Sequence, residues 1–339
     1  MALIKYVKEI LKDYGFKTKI FKSGDMANLF AYRNLNGPKI IFASHTDTVG
    51  PSKDWKTNPY KLGRKRNRLI GLGVCDMKNQ IAITLELCKK ITAKNLAVLL
   101  TFNEETDFAG ANLISNNQIS KDDIVIIGEP TQGKAILATK GVASYEIILK
   151  GRTAHGSEPD KGISATLESA RFLNNLANDF ELFANKAISP QFDNPKPTLN
   201  IGQIEGGDSV NKIADLCKIA LEIRFSKSNQ VKTFEQLIKK NAKSLKSKLA
   251  IKQIFMCQPF YSSAKIKLLC EESNIEIAPG VSYATEASIY RKFSKNIIIL
   301  GAGDIKNAHK PNESISLNQI NKYEDSLEKK ISNLAIYKR

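Results

Sequence analysis

The sequence predicts an α/β protein in which helices flank a mixed, largely parallel sheet, with a smaller α+β domain inserted between the two parts of the main domain. Short apolar runs bounded by turn residues recur at both ends of the chain, at residues 39–43, 97–102, 123–128 and 296–300. Helix-like segments separate several of them, notably residues 76–91. Uninterrupted apolar runs are typical of strands buried on both faces, and alternation with helices favours parallel pairing.

The middle of the chain has a different pattern. Its predicted elements are, in order, a strand at 142–150, a helix at 161–178, strands at 198–204 and 216–225 joined across Gly206-Gly207-Asp208, a helix near 231–247 and a strand near 249–255. This β-α-β-β-α-β order is that of a ferredoxin-like unit. We therefore predict a main domain formed by residues 1–140 and 257–339, interrupted by an inserted domain at 141–256.

The chain has 339 residues and a formal net charge of +17, which raises the question of an acidic partner. Its lysines are spread over the whole sequence and are densest at residues 232–252, where they alternate with apolar residues at roughly helical spacing. This spacing is typical of the solvated face of a helix. Since no zinc-finger spacing or RNA-binding signature accompanies the lysines, we predict no nucleic-acid partner.

Cysteine usage and the N-terminus bear on the compartment. The five cysteines are scattered and form no C-x-x-C pair, a pattern that indicates free thiols in a reducing environment. Residues 1–16 alternate charged and apolar residues as an amphipathic helix does, and they lack the apolar core of a signal peptide. With no run that could span a bilayer, the sequence predicts a cytoplasmic protein without a membrane partner.

Histidine and carboxylate residues follow the predicted strands. They are His45 and Asp47, Glu104 and Glu105, Glu129, and His309, and Asp76 stands at the start of a predicted helix. Ligands bind at the carboxyl ends of the strands in open α/β sheets. Imidazoles and carboxylates that converge there suit a zinc-type centre, so we predict a metal site at this edge.

Each of these residues also has an ordinary structural interpretation. Asp76 fits a helix cap, the Glu104-Glu105 pair fits a solvated loop, and a single histidine is more often a surface or core residue than a ligand. Their joint occurrence after successive strands favours the metal site, because residues with unrelated structural roles would not all be expected at one edge of the sheet.

The same residues carry a resemblance to a known family. The chain resembles the acetylornithine deacetylase / succinyl-diaminopimelate desuccinylase family of metal-dependent amidohydrolases and exopeptidases. The matching segments are, in order, SHTDTVGP (44–51), Trp55 with Pro59, GLGVCDMK (71–78), NEETDFAGA (103–111), IIGEPT (126–131), GRTAHGSEPDKGISA (151–165), GGDSVNKI (206–213), EIRF (222–225), ATEA (284–287) and AHKPNES (308–314). One departure is Asn79, which stands where the family usually has glycine. Because asparagine fits the first turn of a helix, we expect the metal site to be kept.

The resemblance implies a role for each residue of the predicted centre. One divalent metal ion would be held by His45, Asp76 and Glu129, and a second by His309, Asp76 and Glu105, with Asp76 bridging. Zinc is the expected metal, with cobalt or manganese as alternatives. Asp47 would orient the imidazole of His45. Glu104 would be the general base for a water that bridges the two metal ions.

The resemblance also assigns residues in the inserted domain. His155 would stabilise the oxyanion of the tetrahedral intermediate, commonly in the active site of a partner subunit, which implies a homodimer formed through residues 141–256. Arg224 and Asn211 match positions that grip substrate, and an arginine suits a carboxylate. The alternative for Arg224 is a surface ion pair without a role in substrate binding.

Several segments favour the acetylornithine deacetylase branch of the family, among them ATEA (284–287) and the closing GAGDIKNAHKPNES. The predicted reaction is removal of an N-acyl group from a small-molecule substrate, in the first place conversion of N-acetylornithine to ornithine and acetate in arginine biosynthesis. The alternatives are desuccinylation of N-succinyl-diaminopimelate in the lysine and cell-wall pathway, which the positive charge mildly favours, and a dipeptidase activity. A catalytically inactive metal-binding interaction protein is the alternative from another class.

Overall fold

A computed structural model of the chain describes residues 1–336, with side chains described as far as residue 331. The strands are β1 Lys17–Ser23, β2 Met26–Tyr32, β3 Ile40–His45, β4 Gly63–Lys65, β5 Arg68–Ile70, β6 Leu96–Thr101, β7 Ile124–Ile127, β8 Ala135–Ile136, β9 Ala138–Thr139, β10 Gly141–Lys150, β11 Thr198–Gly206, β12 Leu216–Phe225, β13 Lys248–Cys257, β14 Phe260–Tyr261, β15 Ile277–Ala278, β16 Ile297–Ile299 and β17 Ser314–Ser316. The helices are α1 Ala2–Asp13, α2 Lys78–Lys90, α3 Ala109–Asn112, α4 Ala165–Lys186, α5 Asn229–Ala242, α6 Ala264–Glu272, α7 Ala287–Tyr290 and α8 Leu317–Ile336, with 3-10 turns at Pro159–Lys161 and Ile305–Asn307.

The contacts divide the chain into two compact units. The first unit comprises residues 1–137, 261–278 and the chain from 285 onward, and the second comprises residues 138–260 and 279–284. The domain limits predicted after residues 140 and 256 stay a prediction. Among the described residues, no helix combines the length and the apolar character needed to cross a membrane.

The first unit is built on an eight-stranded sheet in the order β1-β2-β6-β3-β7-β16-β8-β15. Its central strands β6, β3, β7 and β16 pair in parallel, and every residue of these four strands is buried. Helix α1 contributes Ile4, Val7 and Leu11 to the core beside the sheet, and α2 contributes Ile81, Leu87 and Cys88. The predicted mixed, largely parallel sheet with flanking helices is confirmed, because the apolar runs are the central strands.

The second unit contains a four-stranded sheet in the order β11-β12-β10-β13, in which every neighbouring pair is antiparallel. Strand β12 alternates exposed and buried residues over most of its length, and its buried side chains pack with those of α4 and α5, such as Phe172 and Phe234. The two helices thus cover one face of the sheet. The β-α-β-β-α-β order confirms the predicted ferredoxin-like topology.

Two local predictions are wrong. The lysine-rich run 232–252 is a helix face only as far as Ala242, because residues from Lys248 onward form a strand that pairs with β10. The cap interpretation of Asp76 also fails. Helix α2 begins at Lys78, its N-cap position is Met77, and no side chain forms the cap hydrogen bond. The carboxylate of Asp76 is therefore available for another role.

Candidate metal centre

The carboxyl edge of the main sheet collects the predicted ligands. His45 is the last residue of β3, Glu129 lies two residues beyond β7, and Glu104 and Glu105 follow β6. His309 lies on the segment after the 3-10 turn Ile305–Asn307, which follows β16. Because β3, β6, β7 and β16 run in parallel, their carboxyl ends meet at one edge and bring these side chains close together.

Asp76 lies between two imidazoles. Its Oδ1 is 3.1 Å from Nε2 of His45, and its Oδ2 is 3.3 Å from Nε2 of His309. Nε2 of His309 is also 2.9 Å from Oε1 of Glu105. One buried carboxylate therefore joins His45 of β3 to His309, which lies 264 residues later in the chain, and it uses a different oxygen for each.

Three groups of side chains bring potential ligand atoms within 4.8 Å of one another. Among the described residues they are His45 with Asp76 and Glu129, Asp76 with Glu105 and His309, and His45 with Glu104 and Glu105. The first two groups share Asp76 and have the same members as the two predicted ligand sets. The third places Glu104, the predicted base, beside both sets.

The backbone of Asp47, rather than its side chain, contacts the imidazole of His45. Its carbonyl oxygen is 3.1 Å from Nδ1 of His45, whereas the nearer carboxylate oxygen is 3.7 Å away. A carbonyl only accepts hydrogen bonds, so Nδ1 carries a proton, and Nε2 is the ring nitrogen that faces Asp76 and could bind a metal ion. The carboxylate instead accepts the backbone N–H groups of Glu104 and Glu105, at 3.2 and 3.1 Å. Asp47 thus positions both His45 and the loop that carries two acidic residues.

The electrostatics of the cluster reflect crowded negative charge. Burial, followed by the charge of a neighbouring carboxylate, raises the pKa values of Glu104 and Glu129 well above the usual range. Burial alone would lower the pKa of His45, but the hydrogen bond to Asp76 and the nearby carboxylates raise it well above its ordinary value. Hydrogen bonds to Asp76 and Glu105 raise the pKa of His309 to about 10. The charges of neighbouring carboxylates thus raise the pKa values of acids and histidines alike, and the same negative potential favours a bound cation.

The donor set fits divalent metal ions. Oε1 of Glu129 is buried and has no hydrogen-bond partner among the described groups, although buried polar atoms are normally paired. Imidazole nitrogen and carboxylate oxygen are the ligands that zinc takes in catalytic sites. A divalent cation bound by each triad would compensate the charge that otherwise raises the pKa values of the acids.

Asn79, which stands in the first turn of α2, makes two hydrogen bonds. Its side-chain nitrogen donates to the carbonyl oxygens of Val74 and Cys75, at 2.9 and 2.8 Å. A glycine could make neither bond. The asparagine thus holds the loop that precedes Asp76 against the helix.

Sequence reasoning assigned no role to two buried acids near the centre. Glu286 is 1% exposed, and its Oε2 accepts a hydrogen bond from the hydroxyl of Tyr290 at 2.9 Å. Glu313 is 3% exposed and accepts the backbone N–H groups of Cys75 and Asp76. Both lie in segments that carry the family resemblance, ATEA and AHKPNES, and a charged residue within a matching segment was the available signal.

The remaining predicted residues lie in the second unit. Nδ1 of His155 is 2.7 Å from the hydroxyl of Ser157 and faces the backbone N–H of that residue at 3.2 Å. Asn211 lies on the adjacent segment, where its carbonyl accepts the N–H of Gly156 at 2.8 Å. Nε of Arg224 donates to Glu222 at 2.8 Å, so the ion pair left open for Arg224 is present.

Two triads of imidazole and carboxylate at the carboxyl edge of an α/β sheet are the arrangement that a metallo-hydrolase requires. A model of peptidase family M20/M25/M40 matches residues 41–333 of the chain. The chain belongs to this family and is a hydrolase, and the family implies divalent metal ions and a small-molecule substrate. The predicted family is confirmed.

Similar proteins agree with this assignment. An acetylornithine deacetylase from Buchnera aphidicola is 33% identical over 325 residues, covering 91% of this chain and 85% of the relative. The acetylornithine deacetylase of Proteus mirabilis is 30% identical over 331 residues, covering 93% and 85%. Among solved structures, the aminopeptidase PepT from Bacillus cereus has a TM-score of 0.77 at 20% identity, covering 98% of this chain and 92% of that one. A metallo-carboxypeptidase from Sulfolobus solfataricus also has a TM-score of 0.77, at 19% identity, covering 98% and 94%. The two structures support the fold alone.

Proposed function

We propose that the protein is a zinc-dependent amidohydrolase that converts N-acetylornithine and water to ornithine and acetate. The observation that carries the proposal is the pair of ligand triads that share Asp76, with Glu104 beside both. The choice of substrate is supported by relatives of 30–33% identity over most of the chain that are named acetylornithine deacetylase.

The residues of the centre divide into ligands and a base. His45, Asp76 and Glu129 would hold one ion, and Asp76, Glu105 and His309 the other. When bound, two divalent ions lower the pKa of a water molecule and polarise the substrate carbonyl. Glu104 accepts the proton of the attacking water and returns it to the nitrogen as the C–N bond breaks. The products are then a carboxylate and an amine.

The proposal assigns His155 to the oxyanion. A backbone N–H only donates, and the N–H of Ser157 faces Nδ1 of His155, so the proton of the neutral ring is on Nε2. This tautomer supports the proposed role because Nε2–H is the donor that an oxyanion requires. Asn211, next to the His155 segment, and Arg224 are the proposed contacts to the substrate.

We further propose that the protein forms a homodimer through residues 141–256. The sheet of the second unit ends in strands β11 and β13, each paired on one side, and both carry exposed apolar side chains such as Ile204 at 57% and Ile254 at 56%. Unpaired edge strands with apolar residues favour association with another chain. Light scattering would measure the mass in solution, and a monomer would contradict the proposal.

Subunit mixing tests whether His155 acts across that dimer. A His155→Ala chain and an Asp76→Ala chain are each expected to be inactive. If the histidine acts in the partner's site, a mixed dimer has one complete site and regains part of the activity. A confirmed mixed dimer without activity would place His155 in the site of its own chain.

The substrate is tested by assaying metal-loaded protein side by side on N-acetylornithine, N-acetyl-lysine, N-succinyl-diaminopimelate and a dipeptide. The proposal expects the highest kcat/KM on N-acetylornithine. Higher kcat/KM on the succinyl substrate would support the desuccinylase alternative, and higher kcat/KM on the dipeptide the peptidase alternative. Metal binding without turnover of any of them would favour an inactive metal-binding protein.

A further inference from the structure

Glu313 is a buried carboxylate enclosed by the backbone of one loop. Its Oε1 accepts the N–H of Cys75 at 2.7 Å and the N–H of Asp76 at 3.0 Å. Its Oε2 accepts the N–H of Gly73 at 2.9 Å. Backbone N–H groups of one loop that converge on a carboxylate form an anion-binding nest. The loop 73–76 is therefore folded around this side chain.

Strand pairing places Glu313 at this loop although the two are about 240 residues apart in the chain. Strand β17 pairs with β5, with Ser314 opposite Ile70, and the N–H of Gly71 donates to the carbonyl of Glu313 at 3.1 Å. The segment 309–313 thus begins with one proposed metal ligand, His309, and ends with the residue that holds the loop of another, Asp76.

We propose that Glu313 is a positioning residue of the metal centre. It fixes the backbone of the 73–76 loop, and hence the direction of the Asp76 carboxylate, before a metal ion binds. The inference rests on the proposed metal centre, because its effect is exerted through Asp76. Among the described residues, Glu313 belongs to none of the three groups of potential ligands.

The physical argument predicts a loss of metal affinity when the acceptor is removed. In Glu313→Gln, the amide offers one acceptor oxygen and directs N–H donors at backbone N–H groups. The loop must then move, and Asp76 moves with it. Replacement of groups that orient metal ligands typically weakens metal binding about 10–100-fold.

A structural acid elsewhere in the same unit provides the matched control. Asp123 is fully buried, accepts the backbone N–H groups of Lys39 and Ser120 at 2.7 Å each, and pairs with Nζ of Lys39 at 2.8 Å. It directly precedes β7, so it lies at the amino ends of the parallel strands, opposite the carboxyl edge. Asp123→Asn therefore damages a comparable buried network without touching the centre.

Co2+ is titrated into chelator-treated full-length protein in competition with a metal indicator, which gives the Co2+ affinity. Two further measurements use the metal-free samples: urea unfolding gives the free energy of unfolding, and amide hydrogen exchange reports on residues 73–76. Glu313→Gln is expected to weaken Co2+ binding about 10–100-fold and to speed exchange at residues 73, 75 and 76. Asp123→Asn is expected to lower the free energy of unfolding while Co2+ affinity stays within about twofold of the wild-type value, well short of that loss.

Two results would overturn the inference: unchanged Co2+ affinity in Glu313→Gln, or equal weakening in Asp123→Asn. If Glu313→Gln does not fold, Glu313→Asp keeps the charge on a shorter side chain and is expected to show a smaller loss in the same direction. Wild-type protein that binds no Co2+ would instead refute the proposed metal centre. Normal binding and turnover with an unaffected Glu313→Gln variant would refute only the role of Glu313.

Discussion

Nε2 of His45 lies 3.1 Å from Oδ1 of Asp76, and this contact leaves the second carboxylate oxygen facing His309. Burial alone would raise the pKa of Asp76. Hydrogen bonds to His309 and His45 outweigh burial and hold this pKa well below its usual range. An ionised carboxylate with one oxygen towards each ligand group is suited to bridge two cations.

We predict that Asp76→Ala removes both metal ions, whereas His309→Ala removes one. Asp76 belongs to both ligand groups and His309 to one of them. Elemental analysis of protein freed of unbound metal measures the content per chain. Asp122→Ala, at an exposed site beside the amino end of β7, is the control and should keep the wild-type content. Equal metal content in Asp76→Ala and wild type would contradict the bridging role.

Glu104→Gln should abolish most turnover and leave the metal content intact. The amide cannot accept the proton of the attacking water, and general-base catalysis contributes about 10²–10⁴-fold to the rate. Parallel measurements of kcat and metal content separate the base from the ligands. Glu9→Gln, on the exposed face of α1, serves as the control. Wild-type kcat in Glu104→Gln would remove Glu104 from its proposed role.

The five cysteines should not react with a thiol reagent at pH 8 in the native protein. None of the five forms a disulfide, and all five are buried. Burial raises the pKa of Cys75 and of Cys88 to about 12 and that of Cys270 to about 11. Since the thiolate is the reacting form, a raised pKa leaves these groups protonated and unreactive at pH 8. Ellman's reagent should detect no rapid reaction before denaturation and five thiols after it, and a fast native phase would contradict the prediction.

Arg33→Ala should lower the free energy of unfolding by about 2–3 kcal/mol, because it leaves carbonyl groups at the end of α2 without their donor. The guanidinium of Arg33 donates to the carbonyl oxygens of Cys88 at 2.6 Å, Ile91, and Ala93 at 3.2 Å. Urea unfolding of chelator-treated protein measures the change. Arg64→Ala, at an exposed position in the same unit, should change the value by less than about 0.5 kcal/mol. A loss in Arg33→Ala no larger than that would argue against a stabilising role for these hydrogen bonds.

The central strands and the metal ligands were accessible from the sequence for a physical reason. Buried parallel strands need apolar residues at every position, so β3, β6, β7 and β16 stand out as uninterrupted runs. The residue that follows such a run lies at the ligand-binding edge whatever the loops do. His45 and Glu129 could therefore be placed from their distance to a strand end. Asp76 and His309 were also candidates from the sequence pattern, and the family resemblance assigned each residue its role.

Contacts that depend on distant pairing were not accessible in this way. The carboxylate of Glu313 reaches the 73–76 loop only because β17 pairs with β5, and no local pattern records that register. Helix α2 begins two residues after Asp76, at Lys78, so Asp76 does not cap it and its carboxylate faces two imidazoles instead. Likewise, the backbone carbonyl of Asp47 is what meets His45, because the loop geometry directs its carboxylate to the N–H groups of Glu104 and Glu105. Local composition thus determined which residues form the strands and the centre, whereas long-range packing decided which of their atoms meet.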